Sequence, residues 1–189
     1  MRRKEDLVAT IEEWNERYRR GEREERSPTP VVVRVAALST PGRALDVACG
    51  TGRNAIFLAR QRWQVAAIDG AVEALRRLNE AAETEGLSIE TAVVDLERER
   101  IDYPAGSFDL IVITHYLQRD LFPLAATLLT AEGLCAAAIQ LIEASSGRDT
   151  RSQRYRVAPE ELRRLFGEWE TIDYREENGV AEIIARRHP

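Results

Sequence analysis

Apolar positions recur along this chain with the period of a helix in some segments and of a buried strand in others. Near the start, spacings of four, three and four give one apolar stripe, formed by Leu7, Ile11, Trp14 and Tyr18. Charged residues occupy the other faces, so the stripe predicts an amphipathic helix. A charged run and Ser27-Pro28-Thr29-Pro30 follow, and these prolines cannot continue a helix. We therefore expect residues 1–30 to form a helical cap with a flexible linker, and residues 31–189 to form the main domain.

Strand and helix patterns alternate through most of that domain. After a short helix over 31–38 and a Pro41-Gly42 turn, apolar-rich segments predict five strands, at 44–47, 65–68, 89–94, 108–114 and 134–141. The last of these is a continuous apolar run, as expected for a strand that is covered on both faces. Helical periodicity between them predicts helices at 54–60, 71–85 and 121–129. Gly86 is placed to end the second of these helices. Such alternation is typical of a parallel sheet with right-handed crossovers.

The C-terminal part has a different order. Pro159 begins a predicted helix over 160–166, and strands at 170–174 and 181–186 flank the turn sequence Glu177-Asn178-Gly179. The fold class predicted is therefore α/β, a Rossmann-like doubly wound sheet of seven strands, mostly parallel, with an antiparallel C-terminal hairpin. Residues 145–156 are predicted to form a mobile loop whose arginines could grip a substrate oxyanion, namely Arg148, Arg151, Arg154 and Arg156.

Composition narrows the classes of partner. The chain has 189 residues, which suits one core, with 44% hydrophobic and 31% charged residues. Its net charge of −5 argues against nucleic-acid binding, so we expect a small-molecule substrate. The two cysteines lack metal-binding spacing, so no metal is expected. No apolar leader or spanning segment is visible, and we expect a cytoplasmic protein that does not bind membranes; the oligomeric state is open.

Lysine is almost absent from this sequence, and nearly all of its basic residues are arginine. Lys4 is the only lysine in the sequence and lies in the predicted cap. This excludes from the main domain a phosphate-binding Walker lysine, a pyridoxal Schiff base and the Tyr/Lys pair of short-chain dehydrogenases.

The most informative segment is the glycine turn that joins the first strand of the domain to its first helix, within residues 44–54. Backbone N–H groups and a helix N-terminus are expected there, at the carboxyl end of a strand, where open α/β sheets bind nucleotide-like ligands. Gly50, Gly52 and Ala55 also satisfy the dinucleotide pattern G-x-G-x-x-G/A, so an NAD-dependent oxidoreductase is an alternative. Asp46 before the turn and the lack of a second domain argue against it.

Asp69 ends the second strand, 23 residues after Asp46. A carboxylate at this place can accept hydrogen bonds from both ribose hydroxyls of a nucleotide cofactor. The alternative is that Asp69 caps the helix that follows.

These motifs resemble those of class I S-adenosylmethionine-dependent methyltransferases, from about residue 31 onward. The first motif, residues 45–52, departs from the family at Ala48, where a glycine is usual. The resemblance implies S-adenosyl-L-methionine as cofactor, with Asp46 near its ammonium group through a water or a backbone group, Asp95 at the adenine amino group and Leu96 on the ring. A solvated loop carboxylate is the alternative for Asp95. The residues assigned to the cofactor are Tyr18, Asp46, Ala48, Gly50, Gly52, Asn54, Asp69, Gly70, Asp95, Leu96 and Thr114.

Residues 114–123 and 14–18 are similar to a narrower group, the small bacterial methyltransferases of the tellurite-resistance type and their thiopurine methyltransferase relatives. This similarity implies a small acceptor such as a chalcogen oxyanion or a thiol, and a cap helix that brings Tyr18 to the cofactor; core packing is the alternative. His115 and Arg119 are the candidate catalytic residues, with His115 as a general base or as a structural histidine. Because methyl transfer requires no covalent catalytic residue, a cofactor-binding protein without turnover is also left open.

Overall fold

The computed structural model describes residues 10–22, 25–142 and 154–187. The strands are β1 Arg43–Val47, β2 Gln64–Asp69, β3 Ile89–Val93, β4 Phe108–Thr114, β5 Leu129–Gln140, β6 Glu170–Glu177 and β7 Val180–Arg186. The helices are α1 Ile11–Arg19, α2 Pro30–Leu38, α3 Arg53–Arg60, α4 Val72–Thr84, α5 Leu121–Leu128 and α6 Glu161–Leu165. No helix among these residues is long and apolar enough to cross a membrane.

The strands form one seven-stranded sheet in the order β3-β2-β1-β4-β5-β7-β6. The first five are parallel, and β7 runs antiparallel to both β5 and β6. This confirms the predicted doubly wound, mostly parallel sheet with its antiparallel hairpin. The chain winds outward in opposite directions from β1 and β4, so the carboxyl ends of these neighbours form the crevice where open sheets bind ligands.

Helices cover both faces of the sheet and divide the core into two layers. On one face, buried side chains of α2, α3 and α4 contact the strands. On the other, α5 and α6 supply the cover, with Phe122 and Leu162 among the buried contacts. Alternate residues of a strand point into opposite layers, as Leu45 and Ala44 do, and this explains the continuous apolar runs.

Local signals end the elements where the sequence predicts. After α4, Gly86 has φ +65, its N–H donates to Glu83 and the Leu87 N–H donates to Ala82, which is a Schellman motif. Between β6 and β7, Asn178 and Gly179 both have positive φ, as a two-residue hairpin turn requires.

Two strands, β5 and β6, extend by several residues beyond their predicted ranges. β5 begins at Leu129 rather than at residue 134, because Leu129 pairs with Phe108 before a register shift in β4. β6 continues past residue 174 to Glu177, which pairs with Val180 across the turn. Polar residues are tolerated there because β6 is an edge strand with a partly exposed face.

Candidate active site

The turn after β1 occupies the crevice and takes an unusual backbone path. Ala48, Gly50 and Gly52 have φ values of +53, +55 and +81, all in the left-handed region. A non-glycine residue pays roughly 1–2 kcal/mol there, so Ala48 carries strain at the position where the resembling family uses glycine. The Cys49 N–H donates to the Ile68 carbonyl at 3.0 Å, which fixes the turn to β2.

The two glycines of this turn are needed for different reasons. A Cβ on Gly50 would lie 2.9 Å from the Tyr18 hydroxyl oxygen, so α1 covers the turn at this point. A Cβ on Gly52 would lie 2.1 Å from Cδ1 of Leu78, so the approach of α3 to α4 demands glycine there. The structure thus places Gly50 beneath Tyr18 and Gly52 in the helix packing.

Asp46 lies fully buried one residue before the end of β1. Its Oδ2 accepts a hydrogen bond from the Ala55 N–H at 3.1 Å, near the start of α3. Its Oδ1 is buried and has no hydrogen-bond partner among the described residues. Burial raises the pKa of Asp46 to about 7, although the Ala55 N–H and Arg53 lower it.

Asp69 ends β2 and binds the turn directly. Its Oδ2 accepts from the Gly50 N–H and its Oδ1 from the Ala71 N–H, both at 2.8 Å. Each carboxylate oxygen keeps a second lone pair for a ligand hydroxyl. Burial raises the pKa of Asp69, against the lowering effect of these two N–H groups.

The two carboxyl groups make the crevice favourable for a cation. Burial raises the pKa of the Cys49 thiol well above its usual value, and Asp46 and Asp69 raise it further. A positively charged ligand close to Asp46 would compensate its buried charge.

Helix α1 docks over the ends of β1 and β2. The Thr10 side chain accepts from the Glu13 N–H while the Glu13 carboxylate accepts from the Thr10 N–H, a capping box. A Cβ on Gly70 would lie 2.9 Å from Cδ1 of Ile11. Asn15 is buried and its Oδ1 accepts from the Glu73 N–H at 2.9 Å. Leu7, the first residue of the predicted stripe, lies outside the described residues.

Asn54 and Thr114 join elements beneath the crevice. The buried Asn54 amide donates to Oγ1 of Thr114 and accepts from the Thr29 N–H, each at 2.9 Å. Thr29 lies within the segment predicted to be a flexible linker, but this hydrogen bond holds it against the start of α3. Contact of Asn54 and Thr114 with a cofactor stays a prediction.

The connection after β3 carries the predicted adenine residues. Oδ1 of Asp95 accepts from the Glu97 N–H at 3.1 Å, and Leu96 is buried in the core. Beside Leu96, a cleft of 390 Å³ opens between this connection and the start of α5. The adenine roles of Asp95 and Leu96 stay predictions.

His115 follows β4 in a strained conformation, with φ +58. Its N–H donates to the Ala138 carbonyl at 2.7 Å, and its Nδ1 lies 3.4 Å from Nε2 of Gln140 at the end of β5. Strained residues are concentrated at functional sites, so this geometry is compatible with a catalytic role.

Arg119 and the chain after β5 close the other side. The Arg119 guanidinium donates through Nε and Nη2 to Oε1 of Glu161, at 2.9 and 2.6 Å. Arg154 donates to Glu97 at 3.0 Å, while Arg156 donates to the Leu141 carbonyl at 2.9 Å. Arg148 and Arg151, and residues 145–153 of the predicted loop, lie outside the described residues.

Three positions were not found by sequence reasoning, Asn15, Gln140 and Glu161. Each makes a hydrogen-bond contact with a residue of the site region that lies at least 25 positions away in the sequence. The hydrophobic pattern does not distinguish these three residues, since polar residues are common on helix faces and at strand ends.

An open α/β sheet with a left-handed glycine turn at its crossover point, one buried carboxyl at Asp46 and one partly buried carboxyl at Asp69 defines a nucleotide-cofactor-binding domain. The chain belongs to the family of tellurite resistance protein TehB, whose family model matches residues 16–184. This confirms the family predicted from the motifs and favours it over the oxidoreductase.

Individual relatives agree with this assignment. A Haemophilus influenzae protein named "Probable S-adenosyl-L-methionine-dependent methyltransferase TehB" is 28% identical over 154 residues, 78% of this chain and 53% of the relative. The chain thus spans about half the length of the curated relatives it matches. The crystal structure of TehB from Haemophilus influenzae superposes with a TM-score of 0.73 at 23% identity, covering 92% of this chain and 67% of that one. The structure of a Burkholderia thailandensis 1,6-didemethyltoxoflavin-N1-methyltransferase with bound S-adenosylhomocysteine superposes with a TM-score of 0.74 at 18% identity. The match covers 95% of this chain and 87% of that one.

Proposed function

We propose that this protein is an S-adenosyl-L-methionine-dependent methyltransferase that acts on a small acceptor, a chalcogen oxyanion or a thiol. The observation that carries the proposal is the buried Oδ1 of Asp46 at the crossover crevice, which has no hydrogen-bond partner in the described part of the chain. An orphaned carboxylate oxygen is costly unless a ligand satisfies it, and a cationic amino-acid end does so. Family membership and the name of the Haemophilus influenzae relative support the same cofactor.

The residues present fit that cofactor. Asp46 would act on the ammonium group through a water or a backbone group, Asp69 would bind the ribose hydroxyls through its remaining lone pairs, and the connection at Asp95 and Leu96 would bind the adenine. The absence of a side chain at Gly50 lets the Tyr18 hydroxyl approach the turn closely. When bound, the cofactor supplies a methyl group on an already activated sulfonium leaving group.

The protein's task is then alignment and exclusion of water rather than covalent chemistry. Residues 1–30 act as the cap: Ile11 covers Gly70 and Tyr18 covers Gly50, so α1 limits access of water from this side. Glu25 pairs with Arg53 and ties the segment after α1 to the start of α3.

On the acceptor side, His115 and Arg119 have separate roles. A soft chalcogen nucleophile needs no strong base, whereas a protonated thiol can pass its proton to His115. Arg119 would attract an oxyanion, in competition with Glu161, which now occupies its guanidinium.

Calorimetry tests the cofactor and a labelled-methyl assay tests the reaction. We expect binding of S-adenosyl-L-methionine and of its demethylated product, no binding of NADH, and label transfer to selenite, tellurite or a small thiol. Binding of the cofactor without methyl transfer to any acceptor would support the alternative of a cofactor-binding protein without turnover. Binding of NADH alone would support the alternative of an oxidoreductase.

Two variants test the assignment of residues. Asp69→Ala should weaken cofactor binding about 10- to 100-fold, because charge-assisted hydrogen bonds contribute ~1.5–3 kcal/mol. Removal of residues 1–26 should leave the circular dichroism of a folded domain but lower methyl transfer sharply. Normal turnover by the truncated protein would contradict the cap, and failure to fold would assign α1 to the core.

A further inference from the structure

The first turn of α4 lacks a cap of its own. Glu73 is the second residue of the helix, so its N–H has no acceptor within the helix. The preceding cap position is Ala71, whose methyl side chain cannot accept a hydrogen bond. Asn15 of α1, 58 positions earlier, supplies the missing acceptor at 2.9 Å.

This contact lies against the turn that would hold the ribose. Asn15 is only 6% exposed, and Ile11, one helical turn earlier, contacts Gly70. Gly70 stands between Asp69 and Ala71, whose N–H donates to the Asp69 carboxylate. The docked face of α1 and the carboxylate of Asp69 therefore share one short piece of backbone.

We propose that Asn15 is a positioning residue that couples docking of the cap to cofactor binding. The inference rests on the proposed function, in which Asp69 binds the ribose. When α1 undocks, the Glu73 N–H loses its acceptor and Gly70 loses its cover, so the backbone that aims Asp69 is less constrained. Coupling is reciprocal, so bound cofactor favours the docked cap by the same factor by which the docked cap favours cofactor.

Hydrogen exchange at the Glu73 amide reports docking directly, because Asn15 is its acceptor and helix geometry provides none. We expect Asn15→Ala to lower protection of this amide about tenfold. The same variant should weaken S-adenosylhomocysteine binding about 2- to 30-fold, the range expected for loss of a helix cap. In the wild-type protein, S-adenosylhomocysteine should increase Glu73 protection.

Two further variants separate positioning from general stability. Asn15→Asp keeps an acceptor at the helix N-terminus and should restore both protection and affinity. Asn79→Ala alters an exposed asparagine on the same α4 and should change neither.

The outcomes are distinguishable. Loss of Glu73 protection with wild-type S-adenosylhomocysteine affinity overturns the coupling, and so does equal weakening by Asn15→Ala and Asn79→Ala. Unchanged protection in Asn15→Ala overturns the trans-helix cap itself. If the wild-type protein binds no S-adenosylhomocysteine, the proposed function fails and the coupling fails with it, whereas the exchange result for Asn15→Ala still decides the cap.

Discussion

Replacing Asp46 by asparagine should stabilise the free protein by an amount that depends on pH. The carboxyl is fully buried, and burial raises its pKa to about 7 from 3.8. In Asp46→Asn, the amide oxygen can still accept from the Ala55 N–H, while an uncharged NH₂ group takes the place of the unpartnered Oδ1. The variant therefore keeps the hydrogen bond and loses the buried charge.

The magnitude follows from proton linkage. Because the folded pKa of Asp46 is raised, the folded protein holds a proton that the unfolded chain releases, so stability falls as pH rises from the unfolded pKa towards the folded one. At about 1.4 kcal/mol per pH unit, this costs the wild-type protein about 2 kcal/mol between about pH 5.5 and about pH 8.5. The variant has no such loss, so its advantage should grow by the same amount.

Urea unfolding followed by circular dichroism at the two pH values measures this directly. The exposed Asp102→Asn serves as control and should follow the wild-type pH dependence. A stability difference between Asp46→Asn and wild type that is equal at both pH values would refute the reasoning. We also expect the variant to bind S-adenosyl-L-methionine more weakly, since the charge that destabilises the free protein is the one that attracts the cofactor.

Three other predictions concern the same region. Ala48→Gly relieves a left-handed backbone and should raise the free energy of unfolding by about 0.5–1 kcal/mol in thermal unfolding, whereas a lower melting temperature would contradict the strain. Cys49 and Cys135 should not react with a thiol reagent until denaturant is added, since burial raises both pKa values; rapid labelling of the native protein would disagree. Glu161→Gln should release Arg119 and lower KM for an oxyanion acceptor about 2- to 5-fold in steady-state kinetics, and a raised KM would count against an acceptor role for Arg119.

The sheet could be predicted because its central strands are buried on both faces. β1 and β4 are mostly apolar and almost wholly buried, and the glycine turn after β1 marks its end. The position of Asp46 and Asp69 follows from the same logic, since each carboxylate stands at or next to the end of a predicted strand. Elements that are buried along their whole length can be recognised because their apolar residues recur at regular spacings.

Other features depend on contacts that leave no such signal. The sequence shows Ala48 as a departure from a motif but not its positive φ, which is fixed by the path between β1 and β2. Asn15 is one polar residue on an amphipathic helix until α4 is placed beside it. The early start of β5 depends on a register shift in its pairing with β4, which no pattern within β5 predicts.

The antiparallel direction of β7 gives this fold a place where its specificity can diverge. Because β7 starts opposite the end of β5, the turn at Asn178 and Gly179 lies at the carboxyl edge of the parallel strands, where the Leu141 N–H donates to the Gly179 carbonyl at 2.8 Å. Surface turns accept insertions at a small entropic cost. Residues added there would extend the wall beside Gln140 and His115 without entering either core layer. An insertion in this turn, natural or grafted, should therefore change which acceptor is selected while the proposed cofactor-binding residues after β1 and β2 stay the same.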